Sequence, residues 1–227
     1  MKKIGMLVAI TREMQAVLAR YGRAVSEETR CGVRVLRYDM DGYELIVAGS
    51  GAGEIAAAAA CALLIDRYEV GLVVNFGVVG GLSEEMTRTK TCVVERVVHY
   101  DFDTSACDGT LPGQYCEYPD VYLPATRALV ERAIALAPEL KAVTCASGDK
   151  FVEGRERKSA LREQFGADIC EMEAAAVVLT CDRSGVPCLL IKTVADALAD
   201  GAEDFGTAVR HSAERCLDVA DKIIREL

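Results

Sequence analysis

The chain has no block of basic residues, no Cys-x-x-Cys pair, only two histidines and no apolar run long enough to cross a bilayer. Each absence closes a class of function. Nucleic acids and anionic membranes are gripped by clustered Lys and Arg, and this chain carries a formal net charge of −9. Structural zinc needs grouped Cys and His. Here ten cysteines are scattered between positions 31 and 216, and His99 and His211 stand apart. Several cysteines lie inside apolar runs, such as Cys145 in AVTCAS and Cys188 in PCLLI, where a reduced thiol behaves as a small hydrophobe. That usage suits a reducing cytoplasm. The opening MKKIGMLVAI is a poor secretory leader, because its apolar stretch is short and Arg12 and Glu13 follow at once. A buried first strand is the expectation. No Gly-x-Ser-x-Gly turn is present, and GSGAGE at 49–54 lacks the glycine spacing of a dinucleotide-binding turn.

What is present is a globular chain of 227 residues, 51% of them hydrophobic, enough for one large domain spanning 1–227. Short apolar runs alternate with helical patterns. Strands are expected at 3–10, 70–82, 91–103, around KAVTCASGD and at CLLIKTV. VRVLRYDM and YELIVAGSG flank Asp41-Gly42, a hairpin signal, since both turn residues tolerate positive φ. Helices are expected at EMQAVLARYG, EIAAAAACALLIDRY, ATRALVERAIALA, 155–165, 171–183 and 203–226, with Gly22 and Gly185 as stops. Residues 104–123, with Pro112, Gly113 and Pro119, read as a long loop. The fold class is α/β: one domain with a mixed, mostly parallel central sheet flanked by helices on both faces.

In open α/β sheets, ligands bind beyond the carboxyl ends of the strands. That rule collects Glu13, the glycine-rich end 76–81, Ser147-Gly148-Asp149 and Asp196 into one prospective cleft. Glu171 and Glu173 pose a sharper question, as acids opening an apolar run. On a helix they stand about 200° apart, so only one of them would face the cleft. The commoner role for a glutamate in a first turn is electrostatic, and for a lone aspartate it is a cap. Both histidines read as structural.

Taken together, IGMLVAITREMQAVL, GSGAGEIAAAAA, VVNFGVVGGL, HYDFDTSA with LPGQY, SGDKFV, EMEAAAVVLTC, GVPCLLIKTVAD and the late EDF resemble the nucleoside phosphorylase/nucleosidase superfamily nearly end to end. They are most similar to its branch acting on 5′-methylthioadenosine and S-adenosylhomocysteine. The resemblance implies an N-glycosidase that hydrolyses a 5′-substituted adenosine to adenine and a free sugar. It implies Asp196 as the acid that protonates the base, Glu13 as the carboxylate that activates water, and Glu173 on the ribose hydroxyls. It further implies substrate contacts from Met172, Phe151, Val152, Val78, Lys192 and Phe205. No metal or organic cofactor, a small purine nucleoside as the partner, and a cytoplasmic homodimer complete the expectation. Three positions depart from the pattern: Val78 and Ala195 replace serines, and Lys192 replaces an arginine. Two alternatives stand beside hydrolysis: a phosphate-dependent phosphorylase, which would need an anion site, and a nucleoside-binding sensor with a degraded active site.

Overall fold

The computed structural model describes residues 1–227. In chain order the elements are β1 (Lys2–Val8), α1 (Thr11–Tyr21), β2 (Ser26–Arg30), β3 (Val33–Asp39), β4 (Tyr43–Gly49), α2 (Glu54–Tyr68), β5 (Leu72–Gly81) and β6 (Thr91–His99). There follow α3 (Ser105–Asp108), β7 (Tyr122–Pro124), α4 (Arg127–Leu136), β8 (Lys141–Ser147), α5 (Arg155–Phe165), β9 (Ile169–Glu171), α6 (Ala174–Ser184), β10 (Cys188–Asp196) and α7 (Ala202–Ile224).

All strands belong to one sheet, ordered β10-β6-β8-β9-β5-β1-β4-β3-β2, with β7 on β6. A further pairing of β10 with β5 closes β10, β6, β8, β9 and β5 into a ring. Two parallel sets make up the sheet. One is β4, β1, β5 and β10; the other is β6, β8 and β9. Antiparallel pairings of β10 with β6 and of β5 with β9 join the sets, and β2, β3 and β4 form an antiparallel meander. Every residue of β10 is buried, as expected for a strand covered on both faces. Helix α7 packs on β10 and β5 and against α1, whereas α2 and α6 pack on each other. A smaller apolar cluster of Leu82, Val98, Ala146, Phe165, Ala167 and Cys170 seats α5.

Three details differ from the sequence reading. Strand β2 is an addition, and its side chains are nearly all exposed, so hydrophobic patterning is silent there. Residues 104–123 hold a short helix and the start of β7 and are not structureless. The helix expected from Glu171 begins at Ala174, after a three-residue strand that ends on Glu171 itself.

Candidate active site

One cavity opens where the ends of β1, β4, β5, β9 and β10 meet. Glu13, Glu171, Glu173 and Asp196 all line it. Its apolar wall includes Ile10, Val78, Val79, Val152, Met172 and the two aromatics Phe151 and Phe205. Of the residues expected to bind or act on substrate, all but Lys192 line this cavity.

Glu13 stands in the first turn of α1, where a carboxylate faces unpaired backbone donors. Its Oε2 accepts from Ala9 N–H and Ile10 N–H, both at 3.1 Å, and its Oε1 accepts from Val78 N–H at 2.9 Å. The residue is only 3% exposed. Burial pushes its pKa up, against the opposing pull of those three N–H groups and of Lys192. The site thus holds a carboxylate in one orientation while leaving it basic enough to take a proton.

Asp196 ends β10. The register against β5 slips between Val194 and Asp196, so Ala195 is the extra residue of a bulge that re-aims the aspartate. Its neighbour across the pairing is Gly80, where a Cβ would lie 3.2 Å from Asp196 Oδ2. Asp196 is 2% exposed, and burial raises its pKa even though Lys158 pulls it down. Lys158 Nζ donates to Asp196 Oδ2 at 2.6 Å and is itself fully buried. The sequence reading missed Lys158, because RERK looks like a solvated helix face. One signal was available: Lys158, Leu161 and Phe165 share the i, i+3, i+7 face that α5 turns inward.

The helical argument about Glu171 and Glu173 does not apply, since Glu171 ends a strand and Glu173 is the N-cap of α6 at φ −138°. Both carboxylates reach the cavity wall, but they do different things. Glu171 is turned into the protein, accepting from Glu173 N–H, Ala174 N–H, Ser147 Oγ–H and Lys192 Nζ. Burial opposes its ionisation, yet Lys192 and these donors bring its pKa below the ordinary glutamate value. Glu173 accepts from Gly53 N–H at 2.9 Å. Burial and the charge of Glu171 push its pKa up to about 7. Gly53 sits at φ 101°, and a Cβ there would lie 2.8 Å from Asp149 Oδ1. Asp149 in turn accepts from Glu54 N–H at the start of α2.

Lys192 does not reach the cavity. Its ammonium pairs with Glu171 Oε2 at 3.0 Å, beneath the wall. Val78 contributes its N–H to Glu13, a contact independent of which side chain stands there. At the mouth, Phe151 and Phe205 meet edge to face, ring centres 5.4 Å apart. Their position suits an apolar group attached to a ligand.

The cavity thus collects three buried carboxylates, Glu13, Glu173 and Asp196, in a largely apolar surround. A profile of the family described as "Phosphorylase superfamily" matches residues 3–225. A 5′-methylthioadenosine/S-adenosylhomocysteine nucleosidase of Shewanella sp. (strain W3-18-1) is 32% identical over 214 residues, covering 91% of each chain. Among solved structures, a futalosine hydrolase mutant of Helicobacter pylori strain 26695 is similar at a TM-score of 0.94 and 29% identity, over 100% of both chains. A 5′-methylthioadenosine/S-adenosyl homocysteine nucleosidase of Helicobacter pylori is similar at a TM-score of 0.93 and 29% identity, over 100% of this chain and 99% of that one.

Proposed function

This chain belongs to the phosphorylase superfamily, and from that premise we propose that it hydrolyses the N-glycosidic bond of a 5′-substituted adenosine to adenine and the free sugar. The observation that carries the proposal is that Glu13, Glu173 and Asp196, far apart in sequence, line one cavity.

The chemistry assigns each a task. As the C1′–N9 bond breaks, its electron pair moves onto the purine and positive charge gathers on the ribose. Asp196 gives a proton to N7, so the base leaves neutral. Raising an aspartate by burial, as here, lets it carry that proton nearer neutral pH. Glu173 holds the ribose hydroxyls, and its charge, with that of Glu13, favours the cationic sugar. Water enters at C1′, and Glu13 takes its proton. Phe151, Val152 and Met172 line the base and sugar, and Phe205 with Ile10 covers the 5′ substituent.

Water is favoured over phosphate as the nucleophile by the lining itself. Lys150 is its one cationic residue, and no arginine lies among the lining residues. A phosphate would bring at least one full negative charge beside Glu13 and Glu173 without a fork of donors to hold it. The deciding experiment incubates the protein with 5′-methylthioadenosine, S-adenosylhomocysteine, 5′-deoxyadenosine and adenosine, with and without phosphate, and identifies the products. Free adenine and free sugar in phosphate-free buffer are expected. A sugar 1-phosphate, or release that requires phosphate, would replace hydrolysis with phosphorolysis.

A further inference from the structure

Lys158 takes no part in the scheme above, yet it is the side chain whose placement most needs a reason. Lysines on a polar helix normally run their stems along the surface and leave the ammonium in water. This one points inward from α5 and has no exposed surface at all. Its Nζ donates to Asp196 Oδ2 at 2.6 Å and to the carbonyl of Ala197 at 2.6 Å, with the Asp200 carbonyl at 3.4 Å. A buried ammonium is tolerated only when paired and fully bonded, and here every partner lies on the segment that begins with Asp196.

That segment is braced from its other side as well. Asp200 Oδ2 accepts from Ala197 N–H at 2.7 Å and from Arg88 Nε at 2.5 Å, and Arg88 also bonds Asp204 on α7. Lys158 therefore occupies Oδ2 of Asp196, and Oδ1 has no protein donor. We propose that Lys158 is a positioning residue for Asp196: it fixes the carboxyl with Oδ1 toward the purine and is the cation that balances Asp196 when its proton leaves. The inference rests on the assignment of Asp196 as the acid. In the step concerned, the proton passes from Asp196 to N7 while the C1′–N9 electron pair moves onto the purine. Asp196 is left as a carboxylate, Lys158 stays an ammonium throughout, and solvent returns the proton to Asp196 after release.

Four groups face Asp196 from the packed elements: Lys158 from α5, Cys170 from β9, Asp200 from the turn after β10, and Arg88 from the segment after β5. Burial and Asp200 favour the protonated acid, whereas Lys158 and Arg88 favour the carboxylate. Deleting the Lys158 charge should therefore make Asp196 hold its proton to higher pH. Because the reaction needs the protonated form, activity falls as pH rises through that titration, and the alkaline limb should move up.

The experiment compares pH profiles of kcat and KM for adenine release by the unmodified protein, Lys158→Met, Lys158→Gln and Asp196→Asn, each checked for folding by its melting transition. Met matches the stem without charge. Gln also keeps a donor for the Ala197 carbonyl and carries the test if Met does not fold. The expected result is an alkaline limb raised by about one unit or more in both neutral variants, with kcat down about tenfold for each unit and KM little changed. A limb at its original pH in a folded variant, or a rise in KM at constant kcat, would overturn the role. Asp196→Asn separates the two readings. If it remains active, the acid assignment itself fails. If it is inactive while the Lys158 variants keep the original profile, only the role of Lys158 fails.

Discussion

Gly77 and Glu13 fit each other as hole and plug: a Cβ built on residue 77 would stand 2.6 Å from Glu13 Oε1. No side chain other than hydrogen leaves that carboxylate on the Val78 N–H. Gly77→Ala should displace the group proposed to receive water's proton. A shift near 1 Å at a reacting group costs on the order of 10²-fold in rate. Turnover should fall by about that factor with the fold retained, and steady-state kinetics beside a melting curve would check both. A fully active alanine variant would mean that Glu13 is not held where the proposed reaction needs it.

Asp196→Asn should lower kcat by about 10²–10⁴, the ordinary contribution of a general acid. It should also lower the melting temperature at pH values above the titration of Asp196, where the carboxylate is the counter-charge of the fully buried Lys158 ammonium and Asn offers none. Asp196→Asn combined with Lys158→Met removes both charges. We expect the pair to recover stability but not turnover. Recovery of both together would show that Asp196 matters for folding alone.

The strands and most helices were readable because apolar runs and glycine stops announce them. Gly22 and Gly185 do follow α1 and α6. What was unreadable has a common physical cause: it depends on neighbours distant in sequence. Strand β2 is set by pairing with β3 and not by burial. The strand ending at Glu171 is three residues long and is held between β8 and β5. Without it, Glu171 looks like the first residue of a helix. The rule that ligands gather at strand ends brought Glu13, Val78 to Gly80 and Asp196 to one place, because it needs only strand boundaries; Ser147, Gly148 and Asp149, which it also collected, do not line the cavity. It could not find Lys158, whose meaning lies in where α5 docks, nor that Lys192 turns beneath the wall onto Glu171.

Glu54 gives a pH dependence to stability. It hydrogen-bonds Ser147 Oγ and accepts from Ala176 N–H at 2.6 Å, and Ser147 Oγ also bonds Glu171 at 2.6 Å. A serine has one proton to give, so Ser147 donates to the ionised Glu171 and accepts from a protonated Glu54. Burial, with the charge of Glu171 adding to it, raises Glu54 from the ordinary value of 4.5 to about 8. The folded state then keeps a proton that the unfolded chain gives up near 4.5. Stability from this group is fully present below that value and is lost as pH rises to about 8, by at most about 1.4 kcal/mol per unit. Glu54→Gln mimics the protonated acid, offering one donor and one acceptor. Its melting temperature should fall less than the parent's between pH 5 and 8. Equal falls would show that Glu54 is ionised in the folded protein.

Phe205→Ala should act on the 5′ end of the substrate. The ring lines the cavity and meets Phe151 edge to face. Loss of a buried aromatic contact worth about 1.5–3 kcal/mol corresponds to roughly 10–100-fold in affinity. KM for 5′-methylthioadenosine should rise by about that amount with kcat nearly unchanged, as for an interaction shared by ground and transition states. KM for adenosine, which lacks the apolar group, should move much less. Equal losses for the two nucleosides would place Phe205 away from the 5′ position.

Lys192 and Glu171 test whether the floor of the site is held by charge. Their side chains are 2% and 3% exposed and meet at 3.0 Å. Burial works against the ammonium, but Glu171 and Glu173 outweigh it and keep its pKa above the ordinary lysine value. Removing one member of such a pair leaves an uncompensated buried charge, typically about 3–5 kcal/mol of destabilisation. Lys192→Met should therefore lower the urea midpoint sharply. It should also raise the pKa of Glu173, which Lys192 now holds down. Lys192→Met with Glu171→Gln removes the stranded charge while keeping an acceptor for the Ala174 N–H. It should regain most of the lost stability, because the destabilisation comes from the unpaired carboxylate and not from the missing amine. If the double variant is no more stable than Lys192→Met, the lysine stem's packing, and not its charge, supports the wall under Glu173.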